Sequence, residues 1–221
     1  MKSFEELLAG SSEAHGHLCP GQVVGVRMAM LGCRLIGLDE PRHPDQIKKL
    51  IVYVEMDRCT ADAVAHVTGV KLGRRSLKFM DYGIMAASFV NLETDKAFRV
   101  LSTEDARNLA PLYAREEAGK SRQQLEAYQR MPDSVLFRVQ QVQVALSEFD
   151  LPGPTRRKVC CSRCDQVVRD HREVVVDGVT LCRPCAQRAY FKNVREVVWP
   201  NMNWAPEQRD SEAGSSNDVS S

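Results

Sequence analysis

Apolar positions along the chain first predict a long buried helix from Pro20 to about Ile36. The apolar side chains fall on two faces of this stretch, a pattern that is typical of a helix covered on both sides. Proline suits the first helical position, because the N–H that it lacks would be unpaired there. Gly25 and Gly32 lie within the helix, and we expect another element to approach it closely at these positions.

Shorter patterns predict the other elements before residue 151. Runs of β-branched and aromatic residues predict strands, and amphipathic or charged stretches predict helices. The expected strands are 50–56, 76–80, 85–91, 98–101 and 135–146, the last pairing with 98–101. The expected helices are 3–9, 61–68 with Asp57 or Thr60 as its cap, and 103–131 with a break near Pro111. Two prolines and a glycine at 151–154 end this region, because they cannot continue a helix or a strand.

The composition excludes several classes of protein. Of the 221 residues, 43% are hydrophobic, which is enough for a packed core. A net charge of +1 excludes a uniformly basic nucleic-acid coat. No apolar run reaches the roughly 20 residues of a membrane helix, and the acidic N-terminal stretch does not resemble a signal peptide. We therefore expect a cytoplasmic protein without a membrane partner, with a disordered polar tail at 205–221.

Four cysteines near the C-terminus have the spacing of a zinc site. They form two C-x-x-C pairs that are separated by 17 residues, and they are Cys161, Cys164, Cys182 and Cys185. Each pair can direct two sulfurs at one ion, and two pairs complete the tetrahedral thiolate shell that zinc favours. We expect a structural zinc ion here. A reduced thiol cluster, disulfides and an iron–sulfur cluster are the alternatives.

The surroundings of these cysteines predict a small treble-clef or ribbon module at 158–196, joined by a linker at 151–157. Residues 174–181 form an expected hairpin with an Asp-Gly turn, and a helix is expected after Cys185. Cys160 lacks the spacing of a ligand and is interpreted as a bystander. The module is basic, but no array of aromatic residues accompanies its basic run, so a nucleic-acid partner is disfavoured.

A second group of potential ligands precedes the buried helix. His15, His17 and Cys19 lie within five residues, and the start of a helix favours the thiolate form of Cys19. Cys59 has a comparable position between a strand and a helix, beside Asp62. If the two helix starts face each other, His17, Cys19 and Cys59 form an open metal site or a redox-active thiol pair. The alternative is that both cysteines are small buried apolar residues.

Ordered motifs give the chain a family resemblance over roughly residues 10–190. These motifs are Gly16-His-Leu-Cys-Pro-Gly21, Asp57-x-Cys-Thr-Ala-Asp-Ala63, Gly69-x-x-Leu-Gly73 and Asp81-Tyr-Gly83. In this order they resemble the FmdE family, which is associated with formylmethanofuran dehydrogenase and many members of which also append a four-cysteine finger. The resemblance implies an α+β N-terminal domain over 1–150, with a mixed or antiparallel sheet and packed helices, and it implies a homodimer.

The resemblance also implies a site and a metabolic setting. The motifs assign His17, Cys19, Cys59 and Asp62 to a catalytic site. The setting is one-carbon, molybdopterin-linked redox metabolism of anaerobes, in which the chain would be a metal-dependent enzyme or an accessory subunit with a redox-enzyme partner. A non-catalytic partner-binding protein with a degenerate site is the second hypothesis, and a nucleic-acid-binding regulator is the third.

The chain departs from the family pattern at three places. Val70-Lys71 replaces the usual Cys-Thr, Gly73-Arg74-Arg75 replaces Gly-Lys-Gly, and Ile84 replaces a lysine. Arg74 or Arg75 preserves a positive charge that can bind a small anionic substrate. If the missing thiol and amine serve the site, this chain has an altered or lost function.

Overall fold

The computed structural model describes residues 1–117 and 119–195, so the predicted tail at 205–221 lies outside the described residues. The helices are α1 (Phe4–His15), α2 (Pro20–Leu35), α3 (Pro44–Ile47), α4 (Cys59–Thr68), α5 (Glu104–Tyr113), α6 (Lys120–Arg130), α7 (Asp133–Leu136) and α8 (Arg183–Ala186). The strands are β1 (Leu50–Val54), β2 (Leu77–Phe79), β3 (Ala86–Asn91), β4 (Ala97–Ser102), β5 (Phe137–Gln141), β6 (Lys158–Cys160), β7 (Val167–Arg169), β8 (Val174–Val176) and β9 (Val179–Leu181). Within the described part of the chain, no helix is both long and apolar enough to cross a membrane.

The first five strands form one mixed sheet in the order β2-β1-β3-β4-β5. Strands β1 and β2 are parallel, and the other neighbours are antiparallel. The predicted pairing of the fifth strand with the fourth is confirmed, since Val100 lies opposite Val139. The mixed sheet with packed helices confirms the α+β class.

Helix α2 lies at the centre of the core, between the sheet and helices α1, α4 and α6. Its glycines allow the close approach that the sequence predicts. A Cβ atom on Gly25 would lie 2.6 Å from Cβ of Ala63 in α4, and one on Gly32 would lie 2.2 Å from the ring of Phe89 in β3. The absence of a side chain at both positions therefore sets the distance of α2 from α4 and from the sheet.

The opposite face of the sheet is covered by an extended segment at 142–151. Its apolar residues pack over Ile51, Val90 and Ala97, and they are Val142, Val144, Leu146 and Leu151. The prediction of a strand to residue 146 was wrong after Gln141. The apolar alternation in this segment reflects packing on the sheet face rather than pairing at its edge.

Three predicted helix bounds were also wrong. Helix α1 continues to His15 instead of ending at residue 9, because Ser11 is buried and its hydroxyl donates a hydrogen bond to Oε1 of Gln22. Helix α4 begins at Cys59 after Arg58, so neither expected cap is used. Helix α8 begins before Cys185 and ends at Ala186.

Candidate metal sites

Metal-ligating side chains form two close groups among the described residues. One contains Cys161, Cys164, Cys182 and Cys185, and the other contains His15, His17 and Cys19. Within each group, the potential ligand atoms all lie within 4.8 Å of one another. The two groups belong to different parts of the fold and differ in the chemistry of their donors.

The four-cysteine group is held by two short hairpins and a helix. The hairpins are β6–β7 and β8–β9, and α8 carries Cys185. The Sγ atoms of Cys164 and Cys182 lie 3.7 Å apart. This separation is far longer than a disulfide bond and close to the edge of a tetrahedron with Zn–S bonds of about 2.3 Å. The donor set therefore fits a four-thiolate zinc ion.

Local electrostatics favours the thiolate form of one ligand. The Cys161 side chain is buried, and the backbone N–H of Cys182 is the largest of several groups that lower its pKa to about 6. Cys160 is exposed and lies outside the group, which agrees with its interpretation as a bystander. The expected hairpin at 174–181 is present as β8–β9.

The second group lies between α1 and α2. Nδ1 of His15 lies 2.9 Å from Oδ2 of Asp62, in the first turn of α4. Nε2 of His15 is buried and has no hydrogen-bond partner among the described residues. With Nδ1–H donating to the carboxylate, Nε2 is left as an acceptor, which is the arrangement of a histidine that ligates a metal. The exposed His17 ring lies 4.7 Å from the His15 ring, centroid to centroid.

Cys19 and Cys59 lie side by side where α2 and α4 begin. A Cβ atom on Gly21 would lie 3.0 Å from Cβ of Cys59 and 3.7 Å from Sγ of Cys19. The two helix starts are joined by a hydrogen bond of 2.8 Å from Nε2 of Gln22 to the carbonyl of Cys59. Burial raises the pKa of the Cys59 thiol, and the side chain of Cys19 raises it further.

The structure thus brings together four of the residues singled out from the sequence, and it adds a fifth. His17, Cys19, Cys59 and Asp62 surround one site, although Cys59 lies outside the three-ligand group. The sequence-based set omitted His15. The H-x-H-x-C spacing was the available signal, but the contact with Asp62 is made 47 residues away.

The two candidate anion-binding arginines are in different situations. Arg74 is exposed at the end of a short 3-10 helix, Leu72–Arg74. Nη1 of Arg75 lies 2.8 Å from Oδ2 of Asp170, between β7 and β8, and both side chains are largely buried. Oδ1 of Asp170 accepts the backbone N–H groups of Arg156 and Arg157 at 2.8 and 3.3 Å. Arg75 therefore joins the N-terminal sheet to the cysteine module.

Replacing Arg75 by alanine is expected to loosen this module from the sheet. The change leaves the buried Asp170 carboxylate without its cation, and a hydrogen bond between charged groups contributes about 1.5–3 kcal/mol. Amide hydrogen exchange at 156–172 should accelerate about 10- to 100-fold. Arg74→Ala is the matched control and should leave this exchange unchanged. Equal exchange in the two variants would contradict the docking role of Arg75.

The departures from the family pattern have different surroundings. Val70 is buried and belongs to the main core, so the side chain at this position serves packing. Ile84 and Tyr82 are exposed after β2. Neither Val70 nor Ile84 belongs to the three-ligand group.

Comparisons with known proteins agree with this division of the chain. The family model described as FmdE, Molybdenum formylmethanofuran dehydrogenase operon, matches residues 14–149. The model of the prokaryotic dksA/traR C4-type zinc finger matches residues 153–191.

One curated relative and one solved structure show how far the similarity extends. A probable S-adenosyl-L-methionine-binding protein of Archaeoglobus fulgidus is 32% identical over 110 residues, which span 50% of this chain and 30% of that relative. The crystal structure of an FmdE-like protein of tungsten formylmethanofuran dehydrogenase from Syntrophus aciditrophicus shares the fold. Its TM-score is 0.54 at 18% identity, with 86% of this chain and 96% of that chain covered. The protein described here is thus a zinc-binding member of the FmdE family with a C4-type zinc finger.

Proposed function

We propose that the N-terminal domain, residues 1–150, holds a second metal ion on His15, His17 and Cys19, and that it acts as a metal-dependent enzyme or accessory subunit. The observation that carries this proposal is the buried Nε2 of His15, which has no partner among the described residues and lies beside two further ligand atoms. A buried polar atom without a partner is costly, and a metal ion satisfies it. Carboxylate support from Asp62 is the usual arrangement behind a ligating histidine.

The donor set suits a site that is open to substrate. Two imidazoles and one thiolate occupy three positions of a tetrahedron, and a zinc ion bound there supplies Lewis acidity with one position left for a ligand. His17 is exposed, whereas the His15 side chain is 14% exposed, so a ligand reaches the site from the side of His17. Arg74 is the remaining candidate to bind a small anionic substrate, since Arg75 is engaged with Asp170.

Cys59 and Asp62 have separate roles in this proposal. Cys59 lies beside Cys19 but outside the ligand group, and its raised pKa keeps the thiol protonated at neutral pH, ready to donate a proton. Asp62 acts through His15 and is a positioning residue. The family description supports a setting in molybdenum-linked one-carbon metabolism. A cytoplasmic location, a homodimer and a redox-enzyme partner belong to the same proposal.

Metal content per chain is the direct test. Elemental mass spectrometry on anaerobically purified protein should give two metal ions per chain for the wild type and one for Cys19→Ser. Asp62→Asn should retain the ion but release it to a chelator at about 10- to 100-fold lower chelator concentration. Cys160→Ser is the matched control and should keep both ions, because Cys160 is exposed outside either group. One ion per chain, unchanged in Cys19→Ser, would exclude the second metal.

A non-catalytic role in partner binding is the second candidate, and exposed apolar residues after α8 favour it. Tyr190 is fully exposed, and Phe191 and Val194 are also exposed. Single exposed apolar residues are common, but adjacent aromatic side chains next to a folded module suit an interface. A pull-down with the double variant Tyr190→Ser and Phe191→Ser should lose a partner redox enzyme that the wild type retains. Retention by the variant would exclude this surface.

A further inference from the structure

A separate cavity lies at the other end of the α1–α4 pair from the His15 group. The two helices are antiparallel, since His15 contacts Asp62 at one end, and Gly10 lies against His66 further along. Beyond that contact, the first turns of α1, the end of α4 and residues 40–43 enclose about 480 Å³. This volume is within the range of small-molecule sites, about 300–1,000 Å³.

The floor of the cavity is apolar. Leu7 and Val67 are almost completely buried, and Pro41 closes one side. These side chains belong to α1, α4 and the loop before α3, so the floor is fixed by three packed segments. A ligand that reaches this floor needs an apolar part.

The rim of the cavity is cationic. Lys2 and Arg42 are exposed there, and neither forms an ion pair with another described residue. The two acidic residues at the rim are already engaged. Oε2 of Glu6 accepts the Ser3 N–H at 3.0 Å in the capping box of α1, and Glu40 lies 3.4 Å from the N-terminal ammonium group.

Arg42 is held in place for this role. Its Nη1 donates a hydrogen bond of 3.2 Å to the carbonyl of His66, near the end of α4. Its Cγ lies against Gly69, where an added Cβ would approach within 3.2 Å. One nitrogen is thus anchored to the protein, and a guanidinium has further N–H donors for an anion.

His66 completes the cationic side of the cavity. Its ring lies against α1, because a Cβ atom on Gly10 would be 3.0 Å from Nε2. Burial lowers the pKa of His66, and the charges of Arg42 and Lys2 lower it further. His43 also lines the cavity, but its Nδ1 already faces the backbone N–H and the carboxylate of Asp45.

We propose that this cavity is a second small-molecule site, which takes an anion with a short apolar part. The anionic group lies among Lys2, Arg42 and His66, and the apolar part covers Leu7, Pro41 and Val67. A carboxylate and a phosphate monoester share this chemistry. The site is independent of the His15 metal group, because its residues belong to the opposite end of the helix pair.

The test uses acetate and hexanoate, which have the same charge and differ in their apolar chain. Hexanoate should give a saturable shift of the His66 ring resonances in NMR and should raise the pKa of His66, since an anion stabilises the imidazolium form. Acetate should bind about tenfold more weakly or less, because it leaves the apolar floor uncovered. A phosphate monoester with a four-carbon chain distinguishes the second possible anionic group.

Matched arginine variants decide whether the cavity is responsible. Arg42→Gln should weaken hexanoate binding about tenfold, as expected for the loss of one charge-assisted contact. Arg122→Gln removes the same charge from α6, where the guanidinium is exposed and 4.0 Å from Glu117, and should bind like the wild type. Equal affinity for acetate and hexanoate, equal binding by the two variants, or no saturable shift of His66 would each overturn the proposal.

Discussion

Replacing Cys161 by alanine is expected to remove one zinc ion per chain and to unfold the whole C-terminal module. The buried apolar cluster of this module contains Leu181 and the two ligands Cys161 and Cys182, so the metal replaces a core. A structural zinc ion supplies the folding free energy of such small modules, with apparent binding free energies of about 10–16 kcal/mol. Loss of one thiolate opens the shell and removes most of that stabilisation.

The measurement combines metal content with amide hydrogen exchange. In Cys161→Ala, protection should disappear throughout β6–β9, while β3 in the N-terminal sheet keeps its protection. Cys160→Ala is the matched control, since it removes an exposed thiol one residue away and should change neither value. Retention of one zinc ion and of protection in β6–β9 by Cys161→Ala would contradict the four-thiolate site.

The elements that were predicted correctly are those whose burial repeats with a regular period. Helix α2 has its apolar faces written into consecutive turns, and strands β1 and β3 are runs of buried apolar residues. The C-x-x-C pairs also carry their geometry locally, because each pair closes one short turn. Patterns of this kind need no information from distant residues.

The incorrect bounds depend on distant partners. The end of α1 is polar in sequence, and it remains helical because Ser11 is buried against Gln22 of α2. The apolar alternation at 142–146 does not reveal whether it pairs with a strand or lies on a sheet face. Local propensity is a weak guide where tertiary contacts decide the conformation.

The site shows the same limit. The H-x-H-x-C spacing places three ligands near one another, but the orientation of His15 is set by Asp62 in another helix. Arg75 was assigned to substrate from its charge, whereas its partner Asp170 lies 95 residues later in the chain. Charge and spacing predict that a residue can bind something, and only the fold determines its partner.

The backbone at Arg75 gives a physical reason for its departure from the family pattern. The family resemblance places a glycine here, and the φ angle of +62° is one that glycine adopts without strain. A side chain at such an angle costs about 1 kcal/mol. The hydrogen bond of Arg75 to the buried carboxylate of Asp170 offsets this cost, so the arginine is explained by the docked zinc module rather than by a substrate.

Replacing Gly32 by alanine is expected to lower the free energy of unfolding of the N-terminal domain by about 1–3 kcal/mol. The added Cβ atom would lie 2.2 Å from Cδ2 of Phe89, a distance that atoms do not adopt. Phe89 is fully buried on β3, between β1 and β4, so neither the ring nor the helix can move without disturbing the core. Urea unfolding of the zinc-loaded protein, followed by far-ultraviolet circular dichroism, should show a lower midpoint with an unchanged slope.

Two further variants identify the contact as the cause. Gly73→Ala is the matched control, because an added Cβ atom there has no neighbour within 4 Å, and its effect should stay within about 0.5 kcal/mol. Phe89→Leu should cost less free energy in the Gly32→Ala background than in the wild type, since the smaller side chain relieves the overlap. If the two substitutions are additive, the loss of stability arises elsewhere, and close packing of α2 on β3 does not determine the stability of the domain.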